Sequence, residues 1–339
     1  MPVFRYALLC IPALCLAAIF AFGGCSDAPK DEVVVYVSVD RQHAEPVLVA
    51  YEKQTGVRVK AVYDVEAAKV TGLVNRLIQE REAPVADVFW NGEIVQTMRL
   101  KERGVLASYD CPATRSLSNT YRDPDGYWHG AGGRARVIIA NTDRLDKGSM
   151  PSGLEDFLAP GTDPKTMGIA MPLFGTTATH AAALYAIWGP DRAEEFFSRL
   201  RDKGVLVVNG NSEVRDMVAD GRMAWGLTDT DDAYGAVKRG APVKIILPDQ
   251  NGLGTLVIPY TVGLIKGGPN TEQGRWLIDY LVGTKAEAML IRSGFSQLSA
   301  HGNPTPGRWE GIKTMDVTFE DTLRQMKTSH EDLRRIFLQ

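Results

Sequence analysis

A chain of 339 residues with a formal charge of −3 and 45% hydrophobic content exceeds what one hydrophobic core usually serves, so two domains are expected. The composition is that of a soluble globular protein, and the lack of a basic excess excludes an electrostatic footprint for nucleic acid.

At the start of the chain, Arg5 precedes an apolar stretch over residues 6–22, then come Gly23, Gly24 and Cys25, and a polar segment follows over 26–32. A short positive region, an apolar core and small residues before a cleavage point describe a secretory signal. Small residues directly before a Cys also resemble a bacterial lipobox, with Phe22 where Leu is usual, so Cys25 is expected to carry lipid and become the new N-terminus. The apolar stretch, interrupted by Pro12, is marginal for a membrane span. Cys10 and Cys15 leave with the signal, and Cys111 remains as the free thiol of an exported chain that must rest on its core.

The β-branched run 33–39 predicts a strand buried on both faces. A helix over 44–54 is ended by Gly56, and a second strand covers 57–63. An amphipathic helix over 69–81 and a strand over 86–90 complete a β-α-β-α-β alternation, which implies right-handed crossovers and a parallel sheet. After a helix over 94–103, residues 108–133 are rich in Pro, Asp and Gly and read as loop. A strand over 134–141 marks the first passage between domains. The second α/β unit follows, with strands over 168–171, 205–208, 223–227 and 243–247 and helices over 177–188, 191–203, 212–220 and 231–239. Gly252, Gly254 and Pro259 mark a return connection to a strand-like stretch over 257–265. Helices are expected over 271–282 and 285–293, and the charged amphipathic stretch 317–338 reads as one or two more.

The chemistry concentrates where strands end and helices begin, which is where open α/β folds place ligands. The apolar run 223–227 breaks into Thr228, Asp229, Thr230, Asp231 and Asp232. Three carboxylates in four residues could form a cation site of hard oxygen donors; Asp and Thr are equally the ordinary first residues of a helix. Gly175-Thr176-Thr177 and Asn209-Gly210-Asn211-Ser212 open helices whose free N–H groups could seat an anion. Arg134 and Arg136 face one side of a strand and could hold an anion by forked hydrogen bonds. Of five histidines, His43 sits at a strand-to-helix edge and is the best candidate for imidazole ligation. There is no phosphate loop, HExxH, CxxC or GxSxG pattern. Asp229-Thr230-Asp231 is similar to the DxD nucleophile of haloacid-dehalogenase-type phosphatases, although Ala233 stands where those enzymes carry Thr or Val.

Taken together, Ala86-Asp87-Val88-Phe89-Trp90-Asn91-Gly92-Glu93, Gly133-Arg134-Ala135-Arg136-Val137-Ile138, Pro172-Leu173-Phe174-Gly175-Thr176-Thr177 and Gly210-Asn211-Ser212-Glu213-Val214-Arg215-Asp216 resemble the ferric-ion-binding members of the bacterial periplasmic solute-binding proteins, the receptors of ABC importers. The resemblance runs from about Val33 to the C-terminus. It implies an α/β fold of the two-lobed, type 2 periplasmic-binding-protein kind, each lobe a mixed, mostly parallel sheet flanked by helices, with the ligand in the cleft between lobes. The expected organisation is a signal peptide over 1–24, a linker over 25–32, lobe 1 over 33–135 and 253–310, lobe 2 over 136–252, and C-terminal helices over 311–339.

By motif, the family's ferric ligands fall on His43 and Glu93, while its adjacent tyrosine pair falls on Asp231 and Asp232. Arg134, Thr176, Thr177, Asn211, Ser212 and Asp229 are expected around an accompanying anion. The implied function is an extracytoplasmic lipoprotein, not an enzyme, anchored in the periplasm through Cys25. As a monomer it would capture iron by hinge closure and deliver it to ABC permease and ATPase subunits. Losing both phenolates should lower affinity for ferric ion, which leaves open a receptor for an organic solute such as a phosphonate. A phosphatase-like hydrolase using Asp229 or Asp231 is the reading from another class.

Overall fold

The computed structural model describes residues 31–64, 71–306 and 311–338; the expected signal segment and the lipidated Cys25 lie outside the described residues. The β-branched run forms β1 (Glu32–Val37), in which Val33, Val35, Tyr36 and Val37 are fully buried. After α1 (Arg41–Thr55), Gly56 closes the helix at φ 77° and donates its N–H to the Glu52 carbonyl, a left-handed cap that glycine adopts without steric cost. The chain continues through β2 (Arg58–Tyr63), α2 (Thr71–Gln79), β3 (Val88–Asn91), α3 (Val95–Glu102) and β4 (Leu106–Ala107).

β5 (Gly132–Asn141) opens the second half. It is followed by β6 (Met167–Ala170), α4 (Gly175–Trp188), α5 (Pro190–Lys203), β7 (Leu206–Val208), α6 (Asn211–Ala219), β8 (Trp225–Asp229), α7 (Thr230–Lys238) and β9 (Val243–Ile246). Then come β10 (Val257–Pro259), β11 (Thr261–Ile265), α8 (Thr271–Leu281), α9 (Thr284–Ser293), β12 (Leu298–Ser299) and α10 (Phe319–Phe337).

Two sheets result, and both are mixed. The first has the order β2-β1-β3-β11-β4, with β1 parallel to β2 and β3 and with β11 antiparallel to β3 and β4. The second runs β10-β5-β8-β6-β7, with β9 and β12 also paired to β5. Here β6 is parallel to β7 and β8, whereas β5 meets β8, β9, β10 and β12 antiparallel.

The stretch read from the sequence as one strand over 257–265 divides at Tyr260. Its first half pairs with β5 in the second sheet and its second half with β3 in the first. Apolarity told that both halves are buried but not by which partner, and the division makes this segment a crossover between lobes. The stretch 317–338 forms a single helix, α10. It starts where the Thr318 hydroxyl accepts the Asp321 N–H, and it packs mainly on α4 and α5 through residues that include Leu333 and Ile336.

Separate cores support the two lobes. Val33, Val35, Trp90, Leu277 and Leu290 belong to one, and Phe157, Trp225, Tyr185 and Phe197 to the other. α4 has no polar face because its residues from Thr176 to Tyr185 are buried all round, as expected for a helix enclosed by its neighbours. Among the described residues, no helix is long and apolar enough to cross a membrane.

Candidate functional site

The site begins with register. Antiparallel pairing sets Arg136 of β5 directly opposite Asp229 at the end of β8, and Arg134, two residues along, points to the same face of the strand. The Asp229 carboxylate makes no capping bond to α7. Its Oδ1 instead accepts from Arg136 Nη1 at 2.6 Å, and its Oδ2 accepts from Thr176 Oγ1 at 2.5 Å and Asn211 Nδ2 at 3.1 Å. Arg136 is fully buried and Asp229 is 1% exposed. Burial pushes the Asp229 carboxyl up, but the guanidiniums of Arg136 and Arg134 outweigh it and hold the group below the usual carboxylate range.

The first turn of α7 supplies the other two carboxylates. Asp231 accepts from Arg134 Nη1 at 2.6 Å, and Asp232 accepts from Arg215 Nη1 of α6 at 3.1 Å. Thr230 fixes the start of this turn by accepting the Ala135 N–H at 3.1 Å. Burial and the neighbouring carboxylates raise Asp232 well above its ordinary value, and burial raises Asp231 against the pull of Arg134. Asp229, Asp231 and Asp232 can each turn one oxygen to within 4.8 Å of the others. Each already holds a guanidinium.

Polar groups of opposite need remain here. Arg134 Nε, Arg136 Nε and Arg136 Nη2 are buried donors with no partner, and Asp231 Oδ1 is a buried acceptor with none. Around them stand the first turns of α4 and α6. Thr177 donates to Asn211 at 3.3 Å, and Asn211 accepts from Arg136 at 3.0 Å. Ser212 follows at the start of α6, half-buried, next to this group. The sequence reading therefore assembled Arg134, Thr176, Thr177, Asn211, Asp229, Asp231 and Asp232 into one place. It singled out Arg136 only with Arg134, and it missed Arg215, whose signal was its position one helical turn along from Asn211 at the opening of α6.

His43 and Glu93 lie on the other side. The Glu93 carboxylate, 1% exposed, accepts the backbone N–H groups of Val95 and Gln96 at 2.7 and 2.9 Å, so it caps the start of α3. It also accepts from Asn91 at 3.1 Å and from Thr179 of α4 at 3.0 Å. The last bond ties the two lobes together. Burial raises its pKa. His43 Nδ1 lies 3.0 Å from Ser293 Oγ, and its ring is 5.6 Å from Phe295, over which the Arg134 guanidinium sits at 5.3 Å. Neither residue belongs to the carboxylate group of the α7 turn.

A cavity of about 450 Å³ opens at the carboxyl ends of β1 and β2, lined by residues that include Ser38, Asp40, Arg41, Gln42, Tyr63 and Asp64. Arg134 meets Gly92 beside the lining residue Ser38. The guanidinium donates to the Gly92 carbonyl at 3.3 Å, and Ser38 donates to Asn91 at 2.5 Å on the same strand end. A Cβ at Gly92 would lie 3.2 Å from Arg134 Nη2, so glycine leaves room for the guanidinium.

Comparison with known proteins adds to this geometry. Residues 83–308 match the family model described as bacterial extracellular solute-binding protein. A putative 2-aminoethylphosphonate-binding periplasmic protein of Salmonella paratyphi A is 23% identical over 326 residues, covering 91% of this chain and 93% of the relative. Iron uptake protein A1 of Synechocystis is 23% identical over 296 residues, covering 82% and 79%. Among solved structures, the apo ferric ion-binding protein A of Pasteurella haemolytica superposes with a TM-score of 0.79 at 23% identity, covering 90% of this chain and 98% of that one. The last match is one of fold.

Proposed function

The chain belongs to the bacterial extracellular solute-binding proteins, and from that premise we propose that it is the periplasmic receptor of an ABC importer, closing its lobes on a small organic solute that carries both a negative group and an amine. An aminoalkylphosphonate is the type. One observation carries this reading: beside the α7 turn lie buried guanidinium donors of Arg134 and Arg136 on β5 and a buried Asp231 oxygen, all without partners. A solute of one sign would satisfy one set and oppose the other, and buried polar groups left unpaired are costly. The lobes would be residues 33–135 with 253–310, and residues 136–252, with Cys25 as the lipidated anchor. Closure would follow from the solute's preference for the closed state.

Ferric iron with an accompanying anion is the second reading, favoured by three carboxylates that can converge within 4.8 Å. His43, Glu93, Asp231 and Asp232 would be its ligands. Against it, Arg136, Arg134 and Arg215 each hold one of the three carboxylates, so a trivalent cation would enter among three guanidiniums. The hydrolase reading needs an oxygen of Asp229 or Asp231 free to attack: both Asp229 oxygens are engaged, and Asp231 keeps only Oδ1 while its Oδ2 is held by Arg134.

Calorimetric titration of the purified protein with 2-aminoethylphosphonate and with ferric citrate tests the assignment. Saturable binding of the phosphonate, with no retained iron by mass spectrometry, is expected. Stoichiometric iron and no phosphonate heat would overturn the organic-solute reading in favour of the metal.

A further inference from the structure

Three contacts hold the Arg134 guanidinium, and each meets a different part of it. Nη1 donates to Asp231 at 2.6 Å, and Nη2 donates to the Gly92 carbonyl at 3.3 Å. The guanidinium carbon lies over the Phe295 ring, 5.3 Å from its centroid, which is within the range of a cation–π contact. What is left is Nε, a buried donor without a partner. Where that donor can reach is set by the three contacts already made.

The ring is itself fixed in place. Phe295 is 2% exposed and follows Gly294, the residue that closes α9. The next residue, Ser296, accepts the Gly133 N–H on its Oγ at 2.9 Å, and Gln297 donates its N–H to the Gly133 carbonyl at 3.0 Å. Gly133 precedes Arg134, so the backbones that carry the ring and the arginine are tied to each other. Gly92 completes the cradle, since a Cβ there would lie 3.2 Å from Arg134 Nη2 and 3.9 Å from Phe295 Cζ. Of the three contacts, Asp231 carries charge of the same sign as an incoming anion and competes with it. The ring is neutral and keeps its hold when the anion arrives. Arginine has a large rotamer entropy, so a solute that had to order this side chain would bind less tightly than one that finds it ordered.

We propose that Phe295 is a positioning residue for the anionic group of the solute: its ring fixes the Arg134 guanidinium against the Gly92 carbonyl and leaves Nε for that group. This rests on the reading of the cleft as a site for a solute of both signs. Phe295 acts through Arg134 and not on the solute, and it does so by the charge distribution of its ring face as well as by its bulk. A residue of that kind supports a binding group from behind and shows in affinity.

The test is calorimetric titration of the full chain with 2-aminoethylphosphonate, comparing wild type, Phe295→Leu, and the protein carrying trifluorophenylalanine in place of Phe295. Fluorination keeps the shape of the ring and drains negative charge from its face, so the packing stays and the cation–π contact is lost. Affinity is expected to fall about fivefold in the fluorinated protein and about tenfold in Phe295→Leu, the scale of one desolvated cation–π contact. The fluorinated protein should melt as wild type does, and it serves if Phe295→Leu fails to fold. A fluorinated protein that binds within about 1.5-fold of wild type overturns the positioning role, whatever Phe295→Leu does, because any loss in the leucine variant is then one of packing; the receptor reading stands in that case. Wild type that binds no phosphonate overturns the receptor reading, and the role of Phe295 with it.

Discussion

Asp229→Asn should destabilise the protein by about 3–5 kcal/mol, the usual cost of removing one partner from a buried ion pair. The size follows from what is stranded. Arg136 is fully buried and two of its nitrogens have no other partner, while Arg134 Nη1 lies 3.6 Å from the same carboxylate. Asparagine keeps the shape and accepts one bond, but it removes the carboxylate both guanidiniums share, leaving Arg134 only Asp231 and Arg136 no carboxylate. At about 2 °C per kcal/mol for a chain of this length, melting should fall by about 6–10 °C at pH 7, followed by circular dichroism.

Two controls separate charge from packing. In Asp229→Asn with Arg136→Met, both charges are gone and an apolar chain of similar length fills the space, so the double variant should be more stable than the single by about 2 kcal/mol. The pH dependence has a fixed sign. Because the folded carboxyl is held below its ordinary value, its stabilisation is present above the unfolded pKa of about 3.9 and is lost as pH falls through the folded value. The gap between wild type and Asp229→Asn should therefore be full at pH 5–7 and shrink below about pH 4. A single variant that melts within about 2 °C of wild type at pH 7, or a double variant no more stable than the single, refutes the reasoning.

Two further outcomes follow from groups outside the cleft. Asp249 sits at φ 57° and accepts the Leu154 N–H at 3.3 Å, and burial pushes its carboxyl up to about 6. Its charged form thus opposes folding above that pH, and Asp249→Asn, which tolerates the left-handed conformation, should gain about 1 kcal/mol at pH 7 after allowance for solvent screening. The gain should vanish below about pH 4, where both side chains are neutral, in urea titrations at the two pH values. Cys111 is buried, and burial together with its bond to Asp279 at 3.1 Å pushes the thiol up to about 12. Peptide mass spectrometry should find it unalkylated by iodoacetamide at pH 8 in the native protein and modified in urea.

The alternation of strands and helices was legible because central strands such as 33–39 are apolar runs and helices such as 44–54 end on a Gly. What the pattern did not carry was pairing. Residues 257–265 read as one strand since burial looks the same in either sheet, and only the chain path shows the split at Tyr260. The Asp turn was legible as a strand end and helix start, yet Asp229 looked like a cap. Its true partner, Arg136, lies 93 residues away in sequence and is found through antiparallel register rather than local spacing. Glu93 drew notice through family resemblance, and its bonds to Val95 and Gln96 show the local job that the same residue performs.

The same geometry explains how a ligand site can change while the fold stays. Side chains at the first turn of α7 project from a backbone held by the β5–β8 register and by Thr230 on the Ala135 N–H, so replacing them does not disturb the sheet. Exchanging the tyrosine pair that the resemblance implies for two aspartates, however, adds buried negative charge, and this is tolerable only if the positive charge is placed nearby. Here it comes from elements that do not move with the turn: Arg134 and Arg136 from β5, and Arg215 from α6. A solute entering this turn meets the arginine donors and the Asp231 oxygen that lack partners, or displaces an existing pair. It can do so at low cost when it brings both an anion for the released guanidinium and a cation for the released carboxylate, because each swap then conserves charge in a region where an unpaired ion costs several kcal/mol. A metal ion supplies only the second half of that exchange, and on the reading proposed here the arginines, more than the aspartates, would set what the cleft selects.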